Sequence, residues 1–170
     1  MKNQQDNLEF PVQAAYFVGS LVLVNNKGEI LLTKERNNYD IWTVPGGEVD
    51  YESKEQFLDT AIRETFEEVW ISIEKNNAEL IDVRISYAEG DNPYKENEIF
   101  IPVATYIAEF PEEQEIKLKR SEDEAERKYD VEEYVWMEPD EIIEKKIKTH
   151  KNFIETIPKI KKWIKDNDYV

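Results

Sequence analysis

Residues 41–71 read IWTVPGGEVDYESKEQFLDTAIRETFEEVWI, and this stretch decides the fold. A short apolar strand over residues 41–44 runs into the turn Pro45-Gly46-Gly47, and residues 55–69 then have the periodicity of an amphipathic helix. The apolar face of that helix consists of Leu58, Ala61, Ile62, Thr65, Phe66 and Val69. A second face, centred roughly 130° away, carries Glu64, Glu67 and Glu68. We therefore predict a helix that packs on a sheet with one side and presents three carboxylates with the other.

The three carboxylates are close neighbours on the predicted helix. Glu64 lies three residues from Glu67 and four from Glu68, so their Cβ atoms are about 5–6 Å apart and their charges repel each other. A bound Mg²⁺ or Mn²⁺ ion would compensate this repulsion, since both ions choose carboxylate oxygens. In a chain this rich in glutamate, such a run taken alone is more often a solvated acidic surface. The adjacent glycines favour a site, because they let backbone amides and carbonyls approach an ion or ligand closely.

The composition restricts the chemistry that this chain can perform. Its 170 residues carry a net charge of −16, which repels the phosphate backbone of DNA or long RNA. The absence of cysteine excludes disulfides, thiolate zinc sites and cysteine nucleophiles, and a single histidine, His150, excludes multi-histidine metal sites. Carboxylates, basic side chains, hydroxyls and hard metals with oxygen ligands remain.

The rest of the chain predicts one α/β domain over residues 1–170. Apolar runs predict strands at residues 14–24, 29–34, 80–87, 99–110 and 134–137. The first two strands are expected to form a hairpin, and the fourth to be bulged or interrupted at Pro102. Helices are predicted over residues 139–146 and 152–165. We expect a mixed central sheet sandwiched between helices, a loose N-terminus at residues 1–9 and a C-terminal helical extension at residues 147–170.

The spacing of the acidic residues resembles a family motif. Gly47, Glu55, the pair Arg63-Glu64 and the pair Glu67-Glu68 resemble the Nudix box, written G-x5-E-x7-R-E-U-x-E-E-x-G-U with U an aliphatic residue. The interval from Glu55 to Arg63 is that of the motif, both later pairs are in register, and Ile71 fits the last aliphatic position. The flanking strands extend the resemblance over residues 12–146. A Nudix-like α/β/α sandwich is thereby implied.

Three positions depart from the motif. Residues 48–54 form a seven-residue interval where the box has five, so that Glu52 competes with Glu55 for the role of the first glutamate. Trp70 stands where the box has glycine, and the predicted helix must end without the residue that tolerates a left-handed backbone best. Thr65 replaces an aliphatic residue. None of these changes removes one of the carboxylates on the helix.

The resemblance also implies roles for individual residues. Nudix proteins hydrolyse a pyrophosphate linkage in a nucleoside diphosphate joined to another group. By matching position, Glu64, Glu67 and Glu68 are expected to hold Mg²⁺ or Mn²⁺, with the Gly47 carbonyl as a further ligand. Glu64 is also expected to orient or deprotonate the attacking water. Arg63 is expected to pair with Glu55, with Glu52 as the alternative, and so to hold that glutamate in position.

Residues outside the carboxylate set are candidates for further roles. Arg36, Trp42 and Gly46 are candidates for substrate binding, although a solvated edge is the simpler reading of Arg36 and a core position that of Trp42. A general base from a later loop, which some family members use, could be Glu98, Glu132 or Glu133, and the sequence does not choose among them.

Two functions from different classes follow from these expectations. The first is a metal-dependent pyrophosphohydrolase that acts on a small nucleotide-type substrate. The alternative, motivated by the longer loop and Trp70, is a catalytically weak nucleotide-binding or regulatory module. The start of the sequence, MKNQQDNLEF, lacks the apolar region of a signal peptide, and no run reaches the ~18 apolar residues of a membrane span. We expect a cytoplasmic protein that binds neither DNA nor membrane, with a homodimer as one option.

Overall fold

The computed structural model describes residues 17–36, 40–87, 100–118, 130–149 and 153–169. Within these ranges the strands are β1 (Val18–Val24), β2 (Ile30–Glu35), β3 (Gly46–Glu48), β4 (Glu79–Tyr87), β5 (Phe100–Glu109) and β6 (Val131–Met137). The α-helices are α1 (Phe57–Val69), α2 (Pro139–Glu144) and α3 (Ile157–Asp166), and two 3₁₀ turns span Lys75–Asn77 and Ile154–Thr156. The predictions for residues 1–9, Glu98 and His150 lie outside the described residues.

Strand β1 is at the centre of a mixed sheet. It pairs in parallel with β5, from Val18 opposite Val103 to Val24 opposite Glu109. On its other side it pairs antiparallel with β3 and, at Val24, with Ile30 of β2. The described strands follow the order β4-β5-β1-β2-β6, with β3 beside β1. The site that follows β3 in the chain is therefore attached to the middle of the sheet.

The hairpin predicted for β1 and β2 is present only next to its turn. Val24 and Ile30 form a pair, but beyond it the two strands diverge because the segment leading to β3 lies between them. In that segment Thr43 pairs with Thr33 of β2, while residues 46–48 pair with β1. This insertion carries the Pro45-Gly46-Gly47 turn into the sheet and places α1 over it.

Alternate residues of β1 enter two hydrophobic cores. Leu21 and Leu23 face α1, whereas Val22 and Val24 face α2 and α3. The first core contains Leu21, Leu23, Leu31, Ala61, Val69, Ile71, Ile73 and Ala108. The second contains Val22, Val24, Ile30, Leu32, Val44, Ile107, Ile142, Phe153, Ile157, Ile160 and Ile164. Each fully buried Leu or Ile side chain stabilises the fold by ~1.5–3 kcal/mol, and helices cover both faces of the sheet. The predicted α/β/α sandwich is confirmed.

Strand β5 is not interrupted at Pro102, and that prediction was wrong. Pro102 lies in regular register with Ile85 of β4, and the irregularity in this pair of strands falls instead between Leu80 and Asp82. The pairing of β5 with β1 begins only at Val103. Pro102 thus has one paired neighbour strand, and the missing N–H is tolerated there.

The buried face of α1 is narrower than the sequence predicts. Ala61, Thr65 and Val69 are buried, but Phe66 is 43% exposed and stacks on Trp70 with 5.6 Å between ring centroids. The helix touches the sheet along a line of small residues. Phe66 follows Thr65 by about 100° around the helix axis and stays outside this contact.

A buried polar network lies on the sheet face opposite α1. Asp82 of β4 accepts a hydrogen bond from Thr156 Oγ1 at 2.7 Å and forms an ion pair with Lys159 of α3. Arg84 donates to Thr105 Oγ1 at 2.6 Å, and Thr105 in turn shares a 3.0 Å hydrogen bond with Ser20 of β1. The network ties β4, β5 and β1 to the C-terminal helical segment.

None of the helices in the described ranges combines the length and the apolar character that crossing a membrane requires.

Candidate active site

Helix α1 packs directly against the sheet at two glycines. An added Cβ at Gly19 of β1 would lie 2.2 Å from the carbonyl oxygen of Phe57, and one at Gly47 would lie 2.4 Å from the carboxyl carbon of Glu64. A side chain at either position would push the helix or the carboxylate away. The glycines therefore hold the backbone of β3 directly against the first of the three glutamates.

Arg63 and Glu55 form a two-pronged ion pair at the start of the helix. Arg63 Nε donates to Glu55 Oε1 at 2.8 Å, and an Nη donates to Oε2 at 3.1 Å. The Asp50 N–H and the Thr60 hydroxyl also donate to Glu55 Oε2. Chiefly through the bonds from Arg63, this arrangement lowers the pKa of Glu55 to about 2, against the opposing effect of burial. Arg63 thus pairs with Glu55, as the motif predicts.

The alternative partner, Glu52, is held in a turn formed by the longer loop. Asp50 Oδ1 accepts hydrogen bonds from the N–H groups of Glu52 at 2.9 Å and Ser53 at 3.3 Å, and Glu52 is exposed. The loop is fixed to the start of β1, where the Tyr51 hydroxyl accepts a hydrogen bond from the Phe17 N–H at 2.9 Å. The two additional residues therefore form an anchored turn that leaves Glu55 in register with Arg63.

Arg63 also contacts the carboxylates that follow it. An Nη lies 2.7 Å from Glu64 Oε1 and 3.3 Å from Glu67 Oε2. A further Nη donates to the Glu48 carbonyl oxygen at 3.0 Å. The guanidinium group therefore links the Gly-Gly strand, the loop and the carboxylate face of α1.

Glu68 is the most buried carboxylate of the helix. Its Oε2 atom is inaccessible to solvent and has no hydrogen-bond partner among the described residues. Burial, together with the charges of Glu64 and Glu35, raises the pKa of Glu68 well above its usual range, although the Gly46 N–H donates to it. Burial also raises the pKa of Glu64, against the opposing effect of Arg63. Placing a charge at a buried atom without a partner is energetically costly. Within the described residues, Glu68 therefore lacks a positive charge that would offset this cost.

Glu35, at the end of β2, is a neighbour of this group that sequence reasoning missed. It is half-buried, and burial and the charge of Glu64 raise its pKa. The signal that could have found it is the alternation of side chains along a strand. Leu31 packs in the core beneath α1, and Glu35 follows four residues later, just after a register shift in the pairing of β2 with β6. The effect of the Glu64 charge on Glu35 agrees with a position on the α1 side.

Across the described part of the chain, no three Asp, Glu or His side chains already surround a common point as ligands of a metal do. Glu64 and Glu67 instead form ion pairs with Arg63. A divalent cation would compete with this guanidinium for the same carboxylates. The carboxylates that the sequence predicts as metal ligands are thus brought together, but in an arrangement that Arg63 organises.

Trp70 ends the helix in the conformation that the box glycine would adopt. Its φ and ψ of 61° and 29° are left-handed, and its N–H donates to the Phe66 carbonyl oxygen at 3.0 Å. The exposed ring stacks on Phe66, which offsets part of the ~1–2 kcal/mol that a non-glycine residue loses there. The departure from the motif therefore still lets the helix end at a left-handed residue.

The predicted substrate-binding residues do not lie together. Gly46 is beside Glu68, and Arg36 lines a cavity of about 160 Å³ with Leu118, Asp130, Val131 and Glu132. Trp42 packs instead against the core on the opposite sheet face, with the Lys34 ammonium 5.4 Å from its ring centroid. Among the candidate bases, Glu132 lines the cavity and Glu133 pairs with Lys34 at 2.8 Å. The roles of these residues stay predictions.

Comparisons with known proteins concern the fold and the family. A search of curated protein sequences found no significant match. Among solved structures, an Ap4A hydrolase of C. elegans in a binary complex matches with a TM-score of 0.62 and 19% identity, over 89% of this chain and 99% of that one. The NUDIX domain of Shewanella oneidensis NrtR, in complex with ADP ribose, matches with a TM-score of 0.65 and 14% identity, over 89% and 90%. The MutT protein of Methanosarcina mazei Go1 matches with a TM-score of 0.61 and 19% identity, over 90% and 95%.

At these identities the structural matches show the shared fold. The family is shown by the sequence, because a model of the NUDIX domain matches residues 17–157. That range contains the Gly-Gly turn, the Arg63–Glu55 pair and all three carboxylates of α1. The chain belongs to the Nudix family of pyrophosphohydrolases.

Proposed function

We propose that this protein hydrolyses a pyrophosphate linkage in a nucleoside diphosphate derivative or nucleotide, with a divalent cation bound between α1 and the Gly-Gly strand. The observation that carries the proposal is the buried Glu68 Oε2 atom, which has no partner in the described residues although it lies beside Glu64 and Glu35. Neighbouring carboxylates repel each other, and burying them without a counter-charge costs free energy. On a helix that matches the Nudix box, we expect a bound cation to supply the counter-charge.

The residues present fit Mg²⁺ or Mn²⁺. Glu64, Glu67 and Glu68 supply hard carboxylate oxygens, and Glu68 has an oxygen still free to coordinate. Gly47 supports the assignment because a Cβ added to it would lie 2.4 Å from the Glu64 carboxyl carbon, so that its backbone packs directly against this carboxylate. We assign these four residues as the ligands.

When bound, the cation would neutralise charge on the phosphate oxygens and lower the pKa of a water molecule. Glu64 would orient the attacking water and accept its proton. Glu64 suits this role because it lies on the face of α1 that also carries Glu67 and Glu68, against the backbone of Gly47. Arg63 fixes the helix start through Glu55 and, once a cation draws Glu64 and Glu67 away, its guanidinium keeps two bonds to Glu55 and one to the Glu48 carbonyl oxygen.

The first substrates to test are suggested by the structures that share this fold. One neighbour is an Ap4A hydrolase and another was solved with ADP ribose, so both dinucleoside polyphosphates and nucleoside diphosphate sugars belong in the panel. Nucleoside triphosphates complete it. The Arg36 cavity lies at the end of β2 next to Glu35, and we propose that it receives a phosphate or ribose group of the substrate.

The test is hydrolysis of this panel with Mg²⁺ and with Mn²⁺, by wild type, Glu67→Gln and Glu68→Gln. We expect product release by wild type and its loss in both variants. Glu79→Gln, an exposed change of the same charge on edge strand β4, is the control and should be as active as wild type. Unchanged turnover in Glu67→Gln and Glu68→Gln would refute the ligand assignment. Binding without turnover across the whole panel would favour the regulatory module instead.

We propose that the protein acts in the cytoplasm on small molecules, without DNA or membrane as a partner. Its oligomeric state, including a homodimer, can be measured by sedimentation in the same preparations.

A further inference from the structure

The turn in the lengthened loop before α1 closes on Glu55. The Asp50 N–H donates to Glu55 Oε2 at 3.1 Å, and the Glu55 N–H donates back to the Asp50 carbonyl oxygen at 3.1 Å. These two hydrogen bonds run in opposite directions between the same two residues. The backbone of Asp50 therefore fixes both the main chain and the side chain of Glu55 just before the helix begins.

The side chain of Asp50 holds the turn in shape. Its Oδ1 atom accepts hydrogen bonds from the N–H groups of Glu52 at 2.9 Å and Ser53 at 3.3 Å, and the Ser53 hydroxyl donates to the Asp50 carbonyl oxygen at 3.2 Å. Aspartate stabilises turns in this way, by accepting bonds from the backbone that follows it. The next residue, Lys54, has a φ of 60°, which is unfavourable for a residue other than glycine. The bonds to Asp50 therefore stabilise a turn that the backbone of Lys54 alone disfavours.

Glu55 connects this turn to the guanidinium group of Arg63. Its Oε2 atom accepts hydrogen bonds from the Asp50 N–H and from an Nη of Arg63, both at 3.1 Å, and its Oε1 atom accepts one from Arg63 Nε at 2.8 Å. The Glu55 side chain is only 9% exposed, so these bonds lie largely out of water. The same guanidinium lies 2.7 Å from Glu64 Oε1. A continuous series of hydrogen bonds and ion pairs thus leads from Asp50 to the carboxylate face of α1.

We propose that Asp50 is a positioning residue of the candidate active site, which acts through Glu55 on the guanidinium group of Arg63. Its effect on turnover rests on the proposed function, whereas its effect on Arg63 does not. The longer interval gives Asp50 this role, because two residues more than the motif has must be folded into the turn before Glu55 can meet Arg63. The motif fixes no residue at the position of Asp50.

Two comparisons separate the hydrogen bonds of Asp50 from its charge. Asp50→Asn keeps a side-chain oxygen that can accept the bonds of the turn and loses only the charge, whereas Asp50→Ala loses both. Glu52→Ala is the matched control, because Glu52 is an exposed carboxylate in the same turn whose side chain has no hydrogen bond or ion pair in the described part of the chain. If the turn is what matters, Asp50→Asn and Glu52→Ala should both behave like wild type.

The first measurement is steady-state kinetics with Mg²⁺ on the substrate that the panel identifies, well below the thermal midpoint of each variant. Asp50→Ala should lower kcat by about tenfold and leave KM nearly unchanged, because Arg63 and the carboxylates lose their fixed geometry while no group that binds substrate is removed. Ser53→Ala, which removes one bond of the turn, should lie between wild type and Asp50→Ala. An unchanged kcat in Asp50→Ala, or an equal loss in Glu52→Ala, overturns the proposal.

The second measurement needs neither turnover nor metal. It follows the exchange with water of the Arg63 Nε–H by NMR, with the signal assigned by its loss in Arg63→Lys. Exchange should be several-fold faster in Asp50→Ala than in wild type and unchanged in Asp50→Asn, because only the alanine variant frees Glu55. Exchange at the wild-type rate in Asp50→Ala would refute the link to Arg63. Failure of the proposed function looks different, since the panel would stay unhydrolysed while Arg63 still responded to Asp50.

Discussion

Two carboxylates, one on each face of the sheet, are in opposite electrostatic states: Asp82 is buried, and Glu68 is half-buried with one inaccessible oxygen. On the α3 side, both carboxylate oxygens of Asp82 have donors, Thr156 and Lys159, and Arg84 lies 3.7 Å away. Burial alone would raise the pKa of Asp82, but these partners outweigh it and lower the pKa. On the α1 side, Glu68 is surrounded by like charges and its pKa is raised.

The difference separates a carboxylate that supports the fold from one that is prepared for a ligand. Asp82 is complete within the chain, because its counter-charges come from neighbouring segments. Glu68 has no such counter-charge among the described residues. The nearby Arg63 forms its ion pairs with Glu55, Glu64 and Glu67 instead. Perturbed carboxylates without a protein counter-charge are the better indicator of function.

The comparison predicts its largest effect for Glu68→Gln. Loss of this carboxylate should lower kcat/KM by ~10²-fold or more, because a direct charge on the cation is removed. The free energy of unfolding of the metal-free protein should stay the same or rise, since a buried like charge disappears. Steady-state kinetics and urea unfolding of the same preparation measure both. A large loss of stability would show that Glu68 stabilises the fold, as Asp82 does, and would contradict the difference drawn between them.

Asp82→Asn should lower the free energy of unfolding and leave cation binding unchanged. Its side chain is buried and Lys159 is about half exposed, so we expect a loss of about 2–3 kcal/mol in the free energy of unfolding, somewhat less than for a fully buried pair. Mn²⁺ affinity should not change, because the network lies on the opposite face of the sheet from α1. Urea unfolding and calorimetry check this. Weakened Mn²⁺ binding in a fully folded Asp82→Asn protein would contradict it.

The contribution of Asp82 should also depend on pH. Because its pKa is lower in the folded chain than in the unfolded one, the carboxylate stabilises the fold above the unfolded pKa and loses this effect as pH falls through the folded pKa. The stability difference between wild type and Asp82→Asn should be constant above about pH 5 and shrink below about pH 4. Urea titrations at a series of pH values measure it. A difference that grows on acidification would reverse the sign assigned here.

The smallest effect is expected at the end of α1, on the same helix as Glu68 but away from its carboxylates. Trp70→Gly relieves the left-handed backbone, whereas Trp70→Ala keeps that strain and also loses the contact with Phe66. The glycine variant should therefore be more stable than the alanine variant by about 1 kcal/mol. Thermal unfolding compares them, with Mn²⁺ affinity equal in both. An alanine variant as stable as the glycine variant would remove backbone strain as the explanation.

Sequence patterns predicted the parts of this protein that depend on local spacing. The helix carrying Glu64, Glu67 and Glu68 follows from intervals of a few residues. The pairing of Arg63 with Glu55 was implied by the resemblance to the Nudix box, which left Glu52 as the alternative. Glu35 was missed because its place beside Glu64 depends on how β3 enters the sheet between β1 and β2.

The partners of Asp82 could not be predicted from the sequence either, because they are far away in the chain. Lys159 is 77 residues away in the chain, and no spacing rule connects the two positions. The interruption expected at Pro102 failed for a related reason, because the tolerance of a proline depends on which neighbouring strands pair at that point. Local patterns thus located the chemistry, while the surroundings of each charge were set by tertiary pairing.

The position of β1 has a consequence for how the protein must fold. Val18 pairs with Glu48 on one side and with Val103 on the other, so the strand beneath the site joins segments roughly 30 and 85 residues apart. Closing such long loops gives a high contact order, which slows folding and delays the last pairings. Nascent chains that lack β5 would hold every residue of the Nudix box, but β1 would have partners on one side only. Cation binding should therefore appear late in refolding, as a reporter of the finished sheet.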